Sequence, residues 1–505
     1  MGLPPFIASL RDALQAQLIE THISWVLLAG ERAYKIKKPL DLGFLDFSTP
    51  ERRRFCCEEE IRLNRRLAPD VYLDVVPITA IEGGAHIGGH GPVLDWAVSM
   101  RAFPADATLD REARLTGGQI DAIADCVARF HAEIDPAPAD SPYGSPEAVM
   151  YPVRENFRQI RALKTDPEAV GLLDHLEVWS ETEGTRLHEH FAARKAAGWV
   201  RECHGDLHLG NIAWVADQPL IFDCIEFNPG LRFIDVTSEV AFLTMDLMSR
   251  GRDDLAWRFL NRWLEHTGDY EGLIALAFYQ VYRAMVRAKV ASIRAGQGDT
   301  EAFGSALEHL RLADRLSRRR RPALLLMHGV SGSGKTHLSQ QVLETLGAIR
   351  LRSDVERKRL FGLGPLEDSS RIPGGIYTEE ASRRTFDRLA ELAALLLREG
   401  HVVIADATFL RRPHRQAMIR VAETAGAPWR ILSLQATEAV LTQRVRRRAE
   451  ARGDASEATV EVLRRQLEEQ ESFDELEARH VLAFDGGDDH DWPARIAELE
   501  RELAT

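Results

Sequence analysis

The chain has 505 residues, 45% of them hydrophobic and 28% charged, with a formal net charge of −13. That length exceeds what one hydrophobic core supports and predicts two or three domains of ordinary soluble composition. The acidic balance disfavours non-specific binding of polyanions, and no apolar run approaches the roughly 18 residues of a membrane span.

The opening Met1-Gly2-Leu3-Pro4-Pro5-Phe6 has no basic leader or long apolar stretch, so a cytoplasmic location is expected. Residues 1–20 read as a helix, with Ile7, Leu10, Leu14 and Leu18 spaced by three and four. Two short β-type runs follow, Ile23 to Leu28 and Arg32 to Ile36, joined by Ala29-Gly30-Glu31; Gly30 can take the positive φ that a tight hairpin needs. Residues 51–67 predict a charged helix, strands follow near 71–78 and 93–103, and helical patterns dominate from 121 to 197. The five cysteines, at 56, 57, 126, 203 and 224, form no C-x-x-C pair, which predicts reduced thiols that pack.

Between 199 and 236 lies His204-Gly205-Asp206-Leu207-His208-Leu209-Gly210-Asn211, followed by the apolar run Pro219 to Phe222 and then Asp223. Phosphoryl transfer requires a group that aligns the acceptor hydroxyl, ligands for a metal, and a cation on the phosphates. Asp206 is placed for the first task and Asn211 and Asp223 for the second. The segment resembles the aminoglycoside phosphotransferase and choline kinase branch of the protein-kinase-like fold. That resemblance implies ATP and Mg2+, and a lysine on a small-lobe strand paired with a glutamate on the next helix. Lys35 and Lys37 share a strand face, so either can be that lysine, with Lys35 preferred. Among Glu58, Glu59 and Glu60, Glu60 shares a helix face with Leu63 and Leu67 and is the chosen partner. The resemblance makes Asp235 a structural brace of the loop. Glu226 reads as an acid near the metal ligand or at the surface, and His208 as a residue packed in the loop.

Helices are predicted over 237–315. The cluster Arg318 to Arg321 before Pro322 reads as an exposed linker, 318–322, between domains at 1–317 and 323–505. Beyond it, the strand-like segments 324–327, 401–405 and 430–434 alternate with helical stretches, which predicts a parallel α/β sheet. The first domain is expected to be α+β, a small β-rich lobe plus a helical lobe.

After the first of those strands comes Gly329-Val330-Ser331-Gly332-Ser333-Gly334-Lys335-Thr336. Such a loop wraps phosphates with backbone N–H groups, Lys335 reaches the outer phosphates, and Thr336 offers its hydroxyl to magnesium. Downstream, Asp354 and Arg357 are three apart, Asp406 ends a strand, and Arg444, Arg447, Arg448 and Arg452 crowd a helix. This arrangement resembles P-loop small-molecule and 5′-polynucleotide kinases. It implies Asp354 as base, Arg357 as a phosphate or substrate contact, and Asp406 beside the metal. Arg444 and Arg448 then belong to a lid, and Arg411, Arg412 and Arg415 are weaker acceptor contacts.

The two halves together resemble bacterial proteins that fuse an aminoglycoside-phosphotransferase-like domain to a P-loop ATPase or kinase. The expectation is a two-site kinase acting on hydroxyls of small molecules. A rival keeps only the P-loop domain catalytic, on a small molecule or a polynucleotide 5′ end, with the first domain regulatory. No membrane contact or obligate protein partner is expected.

Overall fold

The computed structural model describes residues 3–41, 43, 45–104, 106–112, 114–162, 167–296, 298–372, 374–451, 455–487 and 492–504. Packing groups them into two units: residues 1–246 with 278–313, and residues 247–277 with 314–505. No helix among the described residues is long and apolar enough to cross a membrane.

The first unit opens on the helix Pro5–Ala13, shorter than the 1–20 expected from periodicity. The chain turns at Gln15, whose φ is 50°, and residues 17–20 become an edge strand paired with the next one. Leu18 therefore serves a sheet and not a helix face; edge pairing overrides local propensity. Six strands follow one another as β1 (Gln17–Glu20), β2 (Ser24–Ala29), β3 (Arg32–Lys37), β4 (Tyr72–Ile81), β5 (Gly84–Ile87) and β6 (Val93–Arg101). They form one antiparallel sheet in the order β1-β2-β3-β6-β4-β5. Gly30, at φ 61°, makes the β2–β3 turn.

Alternation along β3 decides what each side chain meets. Ile36 joins Ile7, Leu10, Trp25 and Leu27 in one core. Ala33 faces the other way, toward Cys57 and Ile61 of the helix Pro50–Asn64. Lys35 and Lys37, two and four residues on, share that second face. The helix itself starts where Thr49 accepts from the Arg52 amide and Pro50 fills the first turn.

The helical lobe comprises Gly117–Glu133, Pro146–Arg161, Pro167–Arg186 and His188–Ala196, most of Val236–Ser249 and Leu276–Gly296, and Thr300–Ser317 through residue 313. Inserted in it are two small antiparallel pairs. β7 (Val200–Glu202) pairs with β10 (Phe233–Asp235), and β8 (Ile212–Val215) with β9 (Gln218–Ile221). All five cysteines are free. Burial pushes the Cys56 thiol up to about 11 and Cys57 to about 12, which keeps both as inert packing groups.

The second unit is a five-stranded sheet in the order β12-β13-β11-β14-β15, parallel throughout. Its strands are β11 (Ala323–His328), β12 (Ile349–Arg352), β13 (Val402–Asp406), β14 (Trp429–Gln435) and β15 (Val481–Asp485). Every residue of β11 is buried, as a central parallel strand covered on both faces must be. Chain order places residues 247–277 in the first half; by packing they belong here. The helix Asp253–Thr267 turns Trp257, Leu260, Trp263 and Leu264 inward. Its Asn261 Oδ1 accepts from the Arg350 amide of β12 at 2.7 Å, and its Nδ2 donates to Ala348 O at 2.9 Å. A sheet flank that needs an apolar cover has recruited it from an earlier stretch of chain.

Candidate active sites

In the first unit, the shared face of β3 brings both lysines to one carboxylate. Lys35 Nζ donates to Glu60 Oε1 at 2.8 Å and Lys37 Nζ to Glu60 Oε2 at 2.6 Å. Lys35 also pairs with Asp223, and Lys37 with Glu226. Glu226 is buried, which corrects the surface alternative for it. Burial works against the charge of Glu60, but Lys35 and Lys37 outweigh it and lower its pKa to about 2. Glu58 pairs instead with Arg54, and Glu59 with Arg62 and Arg232.

Asp223 follows β9 with φ 67°, a left-handed conformation that costs a non-glycine residue roughly 1–2 kcal/mol. Its amide donates to the buried Tyr72 hydroxyl at 3.1 Å, and its carboxylate is met by Lys35. Two elements far apart in sequence thus hold a strained backbone that aims the carboxylate at the lysine.

The loop before it is equally constrained. Gly205 has φ 88°, and a Cβ there would lie 2.8 Å from Leu231 O. Glu239 Oε1 accepts from the amides of His204 at 2.6 Å and Gly205 at 2.8 Å, while Oε2 meets His131 Nε2 at 2.7 Å. Asp235 is structural but holds Arg194 and the Thr237 amide. The brace on the loop backbone is Glu239, which sequence reasoning missed.

His204 Nδ1 accepts from the Asp206 amide at 3.2 Å and Nε2 lies 2.8 Å from Phe222 O. His208 is arranged alike, accepting from the Gly210 amide and placing Nε2 3.4 Å from Asp206 Oδ2. Asn211 Nδ2 donates to Asp206 Oδ2 and to Asp206 O, each at 3.0 Å. Burial works to raise the Asp206 pKa, yet His208, then His204 and Arg287, hold it below the ordinary carboxylate value. Asp206 is suited to orienting a hydroxyl and accepting its proton late, as a loose phosphoryl-transfer transition state requires.

In the second unit, the glycine-rich loop joins β11 to the helix Lys335–Leu346. Gly329, Gly332 and Gly334 take φ of 141°, 83° and 101°. A Cβ would lie 2.7 Å from Leu434 O at Gly329 and 2.9 Å from Leu441 O at Gly332, so side chains are excluded from this cradle. Lys335 Nζ donates to the carbonyls of Gly329 at 2.8 Å and Val330 at 3.0 Å. The Ser331 amide donates to Gln466 Oε1 at 2.7 Å. Gln466 sits on the helix Val460–Glu468, and nothing in its sequence context marks it.

Gly332, Gly334, Lys335, Thr336, Asp354, Arg357, Asp406 and Arg444 line one cleft of about 1520 Å³. Ser339, one helical turn after Thr336, donates to Asp406 Oδ2 at 3.2 Å. Asp354 lies in the first turn of the helix Ser353–Leu360, with Arg357 one turn later. Arg357 Nη1 donates to Ile376 O and Ser382 Oγ, its guanidinium lies over the Tyr377 ring, and its buried Nε has no partner among the described residues. Such a buried donor suits an anionic or polar acceptor group.

Arg444 Nη1 donates to Gly332 O at 3.4 Å and to Gly486 O. Val330, Leu410, Leu441, Val445 and Leu463 form an apolar cluster that ties the helices Glu438–Ala451 and Val460–Glu468 to the loop. Arg448 lies on the helix Glu438–Ala451, but its side chain is outside the described residues, as is Arg452. Of the weaker candidates, Arg411 lines the cleft and pairs with Glu469, and Arg412 lies 4.0 Å from Asp474. Arg415 is a correction: it is fully buried, bonded to Glu477 and to four backbone carbonyls, and unavailable to an acceptor.

Both sites fit a nucleotide with its cation: the second in its side-chain-free cradle, the first in the Asp223 backbone held at positive φ beside Lys35 and Glu60. Residues 50–279 match the phosphotransferase enzyme family, and residues 324–473 match an AAA domain. An uncharacterized protein of Mycobacterium tuberculosis is 32% identical over 444 residues, 88% of each chain. Among solved structures, a gluconokinase from Sinorhizobium meliloti shares 22% identity over 37% of this chain and 98% of its own, with a TM-score of 0.27. A choline/ethanolamine kinase family protein from Mesorhizobium loti shares 10% identity over 60% of this chain and 87% of its own, with a TM-score of 0.38. The chain belongs to the family of that mycobacterial protein, and it is a kinase-type phosphotransferase with an aminoglycoside-phosphotransferase-like domain followed by a P-loop kinase domain.

Proposed function

We propose that the chain carries two ATP- and magnesium-dependent kinase sites, each transferring the γ-phosphoryl group to a hydroxyl of a small molecule such as a sugar or amino sugar. The observation that carries this reading is a pair of separate constellations, each with a phosphate-facing lysine, metal-type oxygen donors and a carboxylate for the acceptor. Magnesium, when bound, neutralises charge that develops on the transferring phosphoryl oxygens.

In the first site Lys35, oriented by Glu60, holds phosphate oxygens, and Asn211 and Asp223 supply metal ligands. Lys37 is a structural neighbour that neutralises Glu60 and Glu226. Asp206, oriented by Asn211 and His208, aligns the acceptor hydroxyl and receives its proton. In the second site the loop from Gly329 to Gly334 wraps the phosphates with its amides, and Gln466, which accepts from the Ser331 amide, gives up that donor to the phosphate. Thr336 and Asp406 hold the cation or its water, Asp354 takes the acceptor proton, and Arg357 meets the acceptor. Arg444, with Arg448 on the same helix, supplies cationic charge from the lid.

The test is a phosphorylation screen with sugars, amino sugars, nucleosides and oligonucleotide 5′ ends, run on the full chain and on Asp206→Ala and Lys335→Ala. Each activity should vanish in one variant and survive in the other. Turnover of every accepted substrate unchanged by Asp206→Ala would make the first domain a binding or regulatory module. Phosphorylation confined to oligonucleotide ends would replace the small-molecule acceptor at the P-loop site.

A further inference from the structure

The P-loop site is braced by a carboxylate outside its own signature and outside residues 324–473. Glu265, on the helix Asp253–Thr267, is buried in the second unit. Its Oε1 accepts from Arg350 Nη2 at 2.6 Å and Nε at 3.2 Å, and its Oε2 from Arg352 Nη1 at 3.3 Å. Arg350, itself buried on β12, extends its other nitrogen to Ser339 Oγ at 3.2 Å and Thr336 O at 3.4 Å. The Ser339 hydroxyl, also within 3.1 Å of Thr336 O, donates to Asp406 Oδ2.

A hydroxyl has one proton and two lone pairs. When Ser339 accepts from Arg350, its one proton is left to Thr336 O and Asp406 Oδ2, which both lie within reach. The resulting chain runs from Glu265 through Arg350 and Ser339 to Asp406, with a branch to the Thr336 backbone. A buried guanidinium without a counter-charge is strongly unfavourable, so the placement of Arg350 depends on Glu265. Burial works to raise the Glu265 pKa, but Arg350 and Arg352 pull it down to about 2, so this carboxylate is ionised at neutral pH.

We propose that Glu265 is a positioning residue for the P-loop site: through Arg350 and Ser339 it sets the spacing of Thr336 and Asp406 and thereby the affinity of the site for nucleotide-bound magnesium. This rests on reading that cleft as an ATP–magnesium site. It assigns a task in the second reaction to a residue that lies within the stretch matched to the phosphotransferase enzyme family.

The experiment is calorimetric titration of ADP at graded magnesium concentrations. It uses the full chain, in an Asp223→Ala background that disables the first site. Glu265→Gln should raise the magnesium concentration for half-maximal uptake by about 10-fold, the range typical for groups that orient metal ligands, with metal-free ADP affinity little changed. Ser339→Ala, which removes only the connecting hydroxyl, should shift the same midpoint in the same direction and covers the case in which Glu265→Gln does not fold. Leu260→Ala removes a buried apolar side chain from the same helix but no hydrogen bond of the relay, and should leave the midpoint within about twofold. An unshifted midpoint in Ser339→Ala, or in a folded Glu265→Gln, overturns the inference alone, as does an equal shift in Leu260→Ala. Absence of magnesium-dependent uptake in the Asp223→Ala parent overturns the ATP reading itself.

Discussion

The two units solve one electrostatic problem with opposite materials. The first gathers charged side chains from distant parts of the chain, so that Lys35, Lys37, Glu60, Asp223 and Glu226 neutralise one another. The second relies on contiguous backbone amides at a helix N-terminus and leaves its cations along an open cleft. The comparison teaches that the first site is held together by its charges, whereas the second is held by backbone shape. Removing a fully buried charge such as Lys37 should therefore damage folding in the first unit, and removing a cleft cation should damage ligand affinity in the second.

The largest effect should come from the acceptor and phosphate groups themselves. Asp206→Ala should cut turnover at the first site by about 10³-fold, and Lys335→Ala should do the same at the second. Neither should shift the melting temperature by more than a few degrees, and any cross-effect between the two activities would break the separation. Next is Lys37→Met, which leaves Glu60 and Glu226 buried without their shared cation. It should destabilise the first unit by about 3–5 kcal/mol in urea titration, whereas Arg357→Met, which breaks no salt bridge among the described residues, should cost far less stability while impairing acceptor KM.

A third test uses acid. Burial, and then Arg415 and Lys335, lowers His328 in the second unit to about 4; burial, and then Arg320, does the same for His401. In the unfolded chain both protonate near pH ~6.5. Their contribution to stability is therefore present above that pH and is lost as pH falls toward 4, by on the order of 3 kcal/mol per group. Melting followed at pH 7.5 and 5 should show this loss, and His401→Gln should flatten it. The smallest effect is expected for Arg444→Ala, about 10-fold in turnover at the second site with unchanged stability.

How much of this was legible in the sequence follows the same division. A phosphate loop is written in consecutive residues, so Gly329 to Thr336 could be read directly, and the parallel strands around it announce themselves as apolar runs. Glu60 was reachable because helical periodicity points it toward Leu63 and Leu67. Glu226 was not, because its partner Lys37 lies on a strand from the other end of the domain. Glu239 and Gln466 act on backbone amides, and no residue pattern advertises that. Arg415 looked like part of a cationic cluster with Arg411 and Arg412. Its place on the helix Arg412–Thr424 turns it inward onto Glu477.

The route of the backbone also bears on how the protein could be taken apart. A simple tandem fusion would yield two free pieces after one cut at its connector. Here the covalent thread passes between the units after 246, after 277 and again after 313. A protease nicking the arginines at 318–321 would leave the helix Asp253–Thr267 embedded in the piece it no longer belongs to. The two fragments should then co-elute on a sizing column until denaturant is added, and a recombinant tail begun at residue 318 would lack one wall of its own interior.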